Sequence, residues 1–242
     1  MIDPLKQFAI KNVWEINFMG MQLAITNSAL AMIVAVIIVM LLFTTSLLST
    51  SKGKYITKTQ AFVELIYEMI EQMVGGVIGA KAQKFIPFIF TLFMFVLSCN
   101  LVGMIPHSFT VTSHIAVTFA MAAIIFICIT ILGFIKHGTH YFSLFLPKGV
   151  PMFMAPLLLL VELLAYLARP FSLSIRLSAN MIAGHIVLKV LAAFTVMAGL
   201  WGIFPFALLT ILTGFEIFIA ALQAYIFAIL TCVYLGDALN LH

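Results

Sequence analysis

The chain has 242 residues, of which 64% are hydrophobic and only 8% charged, with a mean hydropathy of +1.22. Soluble domains carry roughly 25% charged residues, so an ordinary water-soluble globule, a disordered chain and a collagen-like chain are all excluded, and the bilayer is the solvent the composition fits. The net charge of +4 does not point to nucleic acid, because the surplus is lysine in short loops between apolar runs, where it reports membrane orientation.

Met1–Gly20 carries balanced charges (Asp3, Lys6, Lys11, Glu15), and the first apolar run begins too far in and runs too long for a cleaved signal peptide. The first helix is therefore expected to be retained. Ala29–Leu48 contains no charge, and twenty residues at about 1.5 Å each span the roughly 30 Å hydrocarbon layer. Lys52, Lys54 and Lys58 follow it, which places that end on the cytoplasmic or matrix side and the N-terminus outside.

Thr59–Ile78 differs in kind. Glu64, Glu68 and Glu71 recur at helical spacing, with Phe62, Ile66, Met69, Ile70, Met73 and Val77 as the opposite stripe, interrupted near the end by Gly75 and Gly76. The pattern predicts an amphipathic helix along the inner interface, whose acidic face either docks a partner subunit or is solvated. Phe85–Ile105 and Ile115–Ile135 are two further charge-free spans, joined by a short segment holding His107 and His114. Lys81, Lys84, Lys136 and Lys148 join the earlier three on the inner side, while the outer connection has none. His137 and His140 in the inner loop lack a third metal ligand. Cys99, Cys128 and Cys232 sit in apolar runs without metal or disulfide spacing and read as small buried hydrophobes.

Val150–Leu235 contains Glu162, Arg169, Arg176, Lys189 and Glu216 in strongly apolar surroundings, with one good interruption at Met197–Pro205. Two helical arms result, both longer than a perpendicular crossing needs, so they must tilt strongly or lie partly within the membrane plane; a plain hydropathy count would instead cut them into three or four short spans. The predicted organisation is an all-α membrane protein forming one domain over 1–242. Its elements are a transmembrane helix at 29–48, an interfacial amphipathic helix at 59–78, a transmembrane hairpin at 85–105 and 115–135, and a long tilted helix pair at 150–198 and 203–236. No internal repeat is evident, which counts against inverted-repeat transporters.

Ionisable groups inside a membrane are costly, about 2.5–3.5 kcal/mol for an arginine at a helix centre, and so mark function. Lys189 fits a side chain that snorkels to the interface. Arg176 does not, since Glu162 is fourteen residues away, about 21 Å along the axis. An arginine holds its charge permanently, so it suits an electrostatic gate rather than a proton carrier. Glu162, Arg169 and Arg176 are spaced by seven, with Ser172 and Asn180 flanking Arg176, and form one polar stripe. Ser174, Ser178, His185 and Lys189 form a second on the opposite side. In the last arm Glu216 and Gln223 share a face with Ala220, and Gly214, Ala221 and Ala224 nearby predict close packing against a neighbour. His185 is the nearest partner for Glu216 in an antiparallel hairpin, as a proton relay or as a buried structural hydrogen bond. Nothing matches a nucleophilic triad, a phosphate-binding glycine loop or a zinc-protease helix, so no independent catalyst is expected.

Ala168–His185, with Arg169, Pro170, Ser172, Arg176, Ser178, Asn180, Gly184 and His185, resembles the signature of subunit a of the rotary F-type ATP synthase, called subunit 6 in mitochondria. Cys99–Pro106, Ser108–His114, Leu222–Phe227 and Tyr234–Ala238 extend the resemblance along most of the chain. It implies a non-catalytic stator subunit of the Fo sector, in which Arg176 attracts the carboxylates of a c-subunit ring and separates two offset proton half-channels. Glu162 matches the acid of the inner half-channel, Asn180 the amide beside the arginine, Gln223 the glutamine facing it, and His185 with Glu216 the outer-channel pair. Many bacterial members carry these last two in the reverse order; the order here is that of mitochondria and their bacterial relatives and favours protons over sodium. Further candidates are Arg169, Ser172, Asn100 and His114. Implied partners are the c-ring, peripheral-stalk subunit b at 59–78, other synthase subunits and lipid, with no nucleic acid. No cofactor is implied beyond the translocated proton, and the membrane is an energy-coupling inner membrane, bacterial or mitochondrial. The competing classes are a secondary anion or proton transporter and a purely structural membrane subunit.

Overall fold

The computed structural model describes residues 12–18, 21–51, 58–105, 109–138, 141 and 154–240. Among these residues six α-helices form the body: α1 Asn27–Ser51, α2 Lys58–Ile78, α3 Ile86–Gly103, α4 Ile115–His137, α5 Ala155–Met197 and α6 Ile203–Leu239. All except α2 are long and apolar enough to cross a membrane, so the protein is an all-α membrane protein as its sequence predicts. A two-stranded antiparallel hairpin, β1 Asn12–Phe18 and β2 Met21–Thr26, precedes α1. Reading only for apolar spans passes over this element, although Ile16 and Phe18 alternate with Glu15 and Asn17 at the period of a strand.

Local chemistry sets the helix ends. At the head of α1, Thr26 Oγ1 accepts from the Ala29 amide at 3.4 Å, the geometry of an N-cap. Pro87 and Pro156 lie in the first turns of α3 and α5, where a missing N–H costs nothing. α5 is 43 residues and α6 is 37, about 65 and 55 Å at helical rise, so one long hairpin replaces the three or four short spans of a plain hydropathy count. Pro170 lies inside α5 without ending it. The reversal between α5 and α6 depends on glycine twice. Gly199 has φ +55°, and a Cβ on Gly202 would sit 2.4 Å from the Thr195 carbonyl oxygen.

α3 is the central helix, with 72% of its membrane window buried. α6, α1 and α2 pack around it, while α5 packs on α4 and α6. The core joins Ile70 and Val74 of α2, Ile89 and Met94 of α3, Leu177 of α5 and Phe227 of α6. In lipid, helices associate through close approach and hydrogen bonds rather than hydrophobic transfer. Ala220, Ala224 and Ala228 accordingly form a fully buried stripe on α6, and Asn100 Nδ2 of α3 donates to the Ala220 carbonyl at 3.1 Å. Gly214 lies outside this tight face, exposed and with no atom within 4 Å of where its Cβ would be.

Two further expectations shift. The buried stripe of α2 is Gln60, Val63, Ile66, Ile70, Met73, Val74 and Ile78, whereas Phe62 is 50% exposed. The helix has rotated so that Val63 and Val74 meet its neighbours, leaving Phe62 and Leu65 as an apolar outer face beside the acidic one. Cys99 and Cys232 are buried, but Cys128 is exposed, because it lies on the side of α4 turned away from the other helices.

Candidate functional site

α5 carries two kinds of polar residue and turns them to opposite sides. Ser174 and Ser178 are fully buried and His185 is 8% exposed, whereas Ser172, Arg176, Ala179 and Ala183 lie on the exposed face. Nine residues separate Arg176 from His185, about 180° of rotation and about 13.5 Å of rise, so the helix body stands between them. The two polar stripes expected from the sequence are thus one open and one internal.

The internal stripe ends in a buried cluster built by three parts of the chain. His185 Nδ1 of α5 lies 2.8 Å from Glu216 Oε1 of α6, an ion pair when the ring is protonated. His185 Nε2 lies 2.8 Å from the Gly103 carbonyl oxygen at the end of α3 and 2.9 Å from Thr110 Oγ1. Thr110 Oγ1 also donates to the Gly103 carbonyl at 3.1 Å, and Ser113 Oγ donates to the Thr110 carbonyl at 2.6 Å. Gly184 makes the pair possible, since a Cβ there would fall 2.6 Å from Glu216 Oε1. Nearer the start of α4, Ser174 Oγ and Thr118 Oγ1 share a hydrogen bond of 3.0 Å.

Several buried polar atoms in this region have no hydrogen-bond partner among the described residues: Glu216 Oε2, Asn100 Oδ1, Gln223 Nε2 and Thr112 Oγ1. Such orphans are expensive, and in native structures they mark places where water or a transient proton is accommodated. Asn100 is tied to the carbonyl of Ala220, one turn beyond Glu216 and one turn before Gln223. The three orphans on α3 and α6 therefore follow one line along the buried face.

Arg176 makes no hydrogen bond or ion pair among the described residues. Asn180, one turn on, is half-buried. Gln223, expected opposite the arginine, is 2% exposed and makes no hydrogen bond to it among the described residues. On the exposed face that Arg176 shares, Ala168, Ser172, Ala179 and Ala183 are small, so another helix can approach the guanidinium there, while Phe171 and Ile175 at its border are large and exposed.

Toward the other end of α5, Arg169 leaves the Arg176 stripe. Its Nη1 pairs with Asp237 Oδ2 of α6 at 3.1 Å, and its guanidinium lies over the rings of Tyr166 at 5.4 Å and Tyr234 at 4.9 Å. Tyr166 shares hydrogen bonds with Thr130 at 2.7 Å and Tyr141 at 3.0 Å. Burial, reinforced by that bond to Tyr166, pushes the Tyr141 phenol above its ordinary range. Lys136 Nζ donates to the Leu239 carbonyl at 2.7 Å, placing a cation at the C-terminal end of α6. Glu162 is half-buried on the same half of α5.

His114 is half-buried, its ring stacked on Phe109 at 4.9 Å. His107 and His140 lie outside the described residues. An open groove of about 450 Å³ between α1, α2 and α3 is lined by Phe43, Tyr67 and Phe90 and by Glu64, Glu68 and Glu71. Sequence reasoning missed Thr110, the Gly103 carbonyl and Asp237. Each was inside a recognisable motif, but no spacing rule connects residues so far apart in the chain. The family model described as ATP synthase A chain matches residues 29–236.

Proposed function

The chain belongs to the ATP synthase A chain family, the proton-translocating membrane subunit of that complex, and we propose that it conducts protons through two half-channels offset on either side of Arg176. It is a multi-pass membrane protein, non-catalytic by itself, and associates with the other membrane-sector subunits. The observation that carries the proposal is the division of labour on α5. A permanent positive charge stands on an exposed, small-residue face, and a buried histidine–glutamate pair stands on the opposite face about 13.5 Å along the axis.

The mechanism follows from those positions. Protons from the outer side reach Glu216 and His185, beside the α3–α4 connection, and move along Asn100 and Gln223 toward the ring. A ring carboxylate that loses its proton is attracted to Arg176, whose charge repels an excess proton and seals the direct route. A proton crossing the membrane is worth about 2.3 kcal/mol per 100 mV, so even a modest leak past Arg176 dissipates the energy of rotation. Glu162 and Ser172 serve the inner side, and Asn180 steadies the approach to the guanidinium. Arg169, held by Asp237 and two tyrosines, is a clamp between α5 and α6 rather than part of the path.

The exposed α5 face receives the c-ring, and the acidic groove along α2 receives the peripheral stalk. The N-terminus faces the periplasm or intermembrane space of an energy-coupling inner membrane. Arg176→Ala tests the reading: the variant should insert and assemble normally but support no proton-driven ATP synthesis in sealed vesicles. Coupled synthesis retained in that variant would overturn the proposal.

A further inference from the structure

We infer that Thr110 and the Gly103 carbonyl hold His185 in a single ring tautomer, so that the imidazole stores a proton for Glu216 and does not pass one through the ring. This rests on the outer half-channel reading above. His185 Nε2 is 2.8 Å from the Gly103 carbonyl oxygen, and a carbonyl oxygen only accepts, so the contact requires hydrogen on Nε2. The Thr110 hydroxyl donates to the same carbonyl, which turns an oxygen lone pair toward Nε2 at 2.9 Å and adds a second acceptor. Thr110 is 1% exposed and its own carbonyl is held by Ser113, so the arrangement has little freedom to rotate.

The opposite nitrogen meets a different kind of partner. Nδ1 faces Glu216 Oε1 at 2.8 Å. With the Nε2 hydrogen committed, the pair has one proton to share, either on Nδ1 beside an ionised carboxylate or on Oε1 beside a neutral ring. Transfer breaks the Nδ1–H bond and forms the Oε1–H bond, and the pair is neutral in total before and after. Passage through the ring would need Nε2 to release its hydrogen toward a carbonyl that cannot keep it, or the ring to flip against bonds on both sides. Traffic instead uses the second carboxylate oxygen, Glu216 Oε2, which is buried, has no partner among the described residues, and begins the line of orphans continued by Asn100 and Gln223. The ionisable groups facing the ring are Glu216 from α6 and Lys189 from the next turn of α5, while α3 and the following segment present Gly103 and Thr110.

Thr110 is thus a positioning residue, and the tautomer is directly observable. Nitrogen-15 solid-state spectra of the assembled, histidine-labelled membrane complex are recorded from pH 5 to 9, with the His185 signals identified by their loss in His185→Gln. Nε2 should remain protonated throughout, with Nδ1 alone changing. Thr110→Val, which keeps shape and removes the hydroxyl, should lower the preference for the Nε2–H tautomer by about fivefold, the worth of one hydrogen bond, and Thr110→Ser should restore it. A native spectrum in which Nε2 loses its hydrogen overturns the inference even if Thr110→Val fails to assemble, and a Thr110→Val spectrum identical to the native one removes Thr110 from it. Passive proton flux in Glu216→Gln separates the two levels. Normal flux overturns the outer-path reading, whereas blocked flux together with an unprotonated Nε2 overturns only the tautomer lock.

Discussion

Adding one methyl group at Gly184 perturbs the site without replacing any ionisable residue. The new Cβ would lie 2.6 Å from Glu216 Oε1, against an ordinary contact of at least about 3.4 Å, so the carboxylate must retreat by most of an ångström. Its bond to His185 starts at 2.8 Å and would stretch beyond hydrogen-bond range. A hydrogen bond to a charged group contributes about 1.5–3 kcal/mol, which at about 1.4 kcal/mol per decade is roughly one to two orders of magnitude in the population of the paired state. We therefore expect Gly184→Ala to lower passive proton flux through the membrane sector, measured in vesicles under an imposed potential, by about tenfold or more. Alanine is the better helix former, so the helix itself should not weaken. Gly75→Ala is the control, because no atom lies within 4 Å of its Cβ position. Flux within twofold of native in Gly184→Ala, or an equal loss in Gly75→Ala, would refute the steric reasoning.

Glu216→Gln should slow proton flux severely in the native background but more mildly where His185 is already substituted, with a coupling energy of about 0.5–3 kcal/mol; strictly additive losses in the cycle would argue against a shared proton. Arg169→Lys keeps a charge for Asp237 but loses the planar contacts with Tyr166 and Tyr234, each worth about 0.5–1 kcal/mol at such sites, so the solubilised complex should unfold at lower temperature while flux persists. Loss of flux at unchanged stability would instead place Arg169 in the path. The raised Tyr141 phenol stabilises the fold below the ordinary tyrosine pKa of about 10, and that contribution disappears only as pH rises through the higher folded value. The ultraviolet difference spectrum between the native protein and Tyr141→Phe should therefore show no phenolate at pH 10, where an ordinary tyrosine is half ionised.

Much of the site was legible because charge is so scarce in this chain. Arg176, His185 and Glu216 stand out against a background in which only 8% of residues are charged. The antiparallel return of α6 on α5 then makes His185 the natural partner of Glu216. The two stripes of α5 were also legible, since a nine-residue step reverses a helix face. Arg169 was harder. At seven residues from Arg176 it shares that face to within about 20°, yet its long side chain reaches Asp237, sixty-eight positions later in the chain. Periodicity misplaces the α2 stripe by about one position, because Phe62 and Val63 are both apolar and only the neighbouring helices decide which turns inward.

Composition and spacing alone establish the class and the identity of the few residues that carry charge into the bilayer, whereas the long α5–α6 hairpin is a finding of the structure. The reason is local: in lipid a helix satisfies its backbone within its own segment, and each buried charge is too costly to occur without cause. Beyond the His185–Glu216 pair, packing decides which polar atoms meet. Gly103 and Thr110 reach His185 across eighty-two and seventy-five positions, and Gly184 matters only because α6 presses Glu216 against it. Those contacts depend on the rotation and depth of packed helices, which small side chains and single hydrogen bonds set by approach in space rather than by any period along the chain.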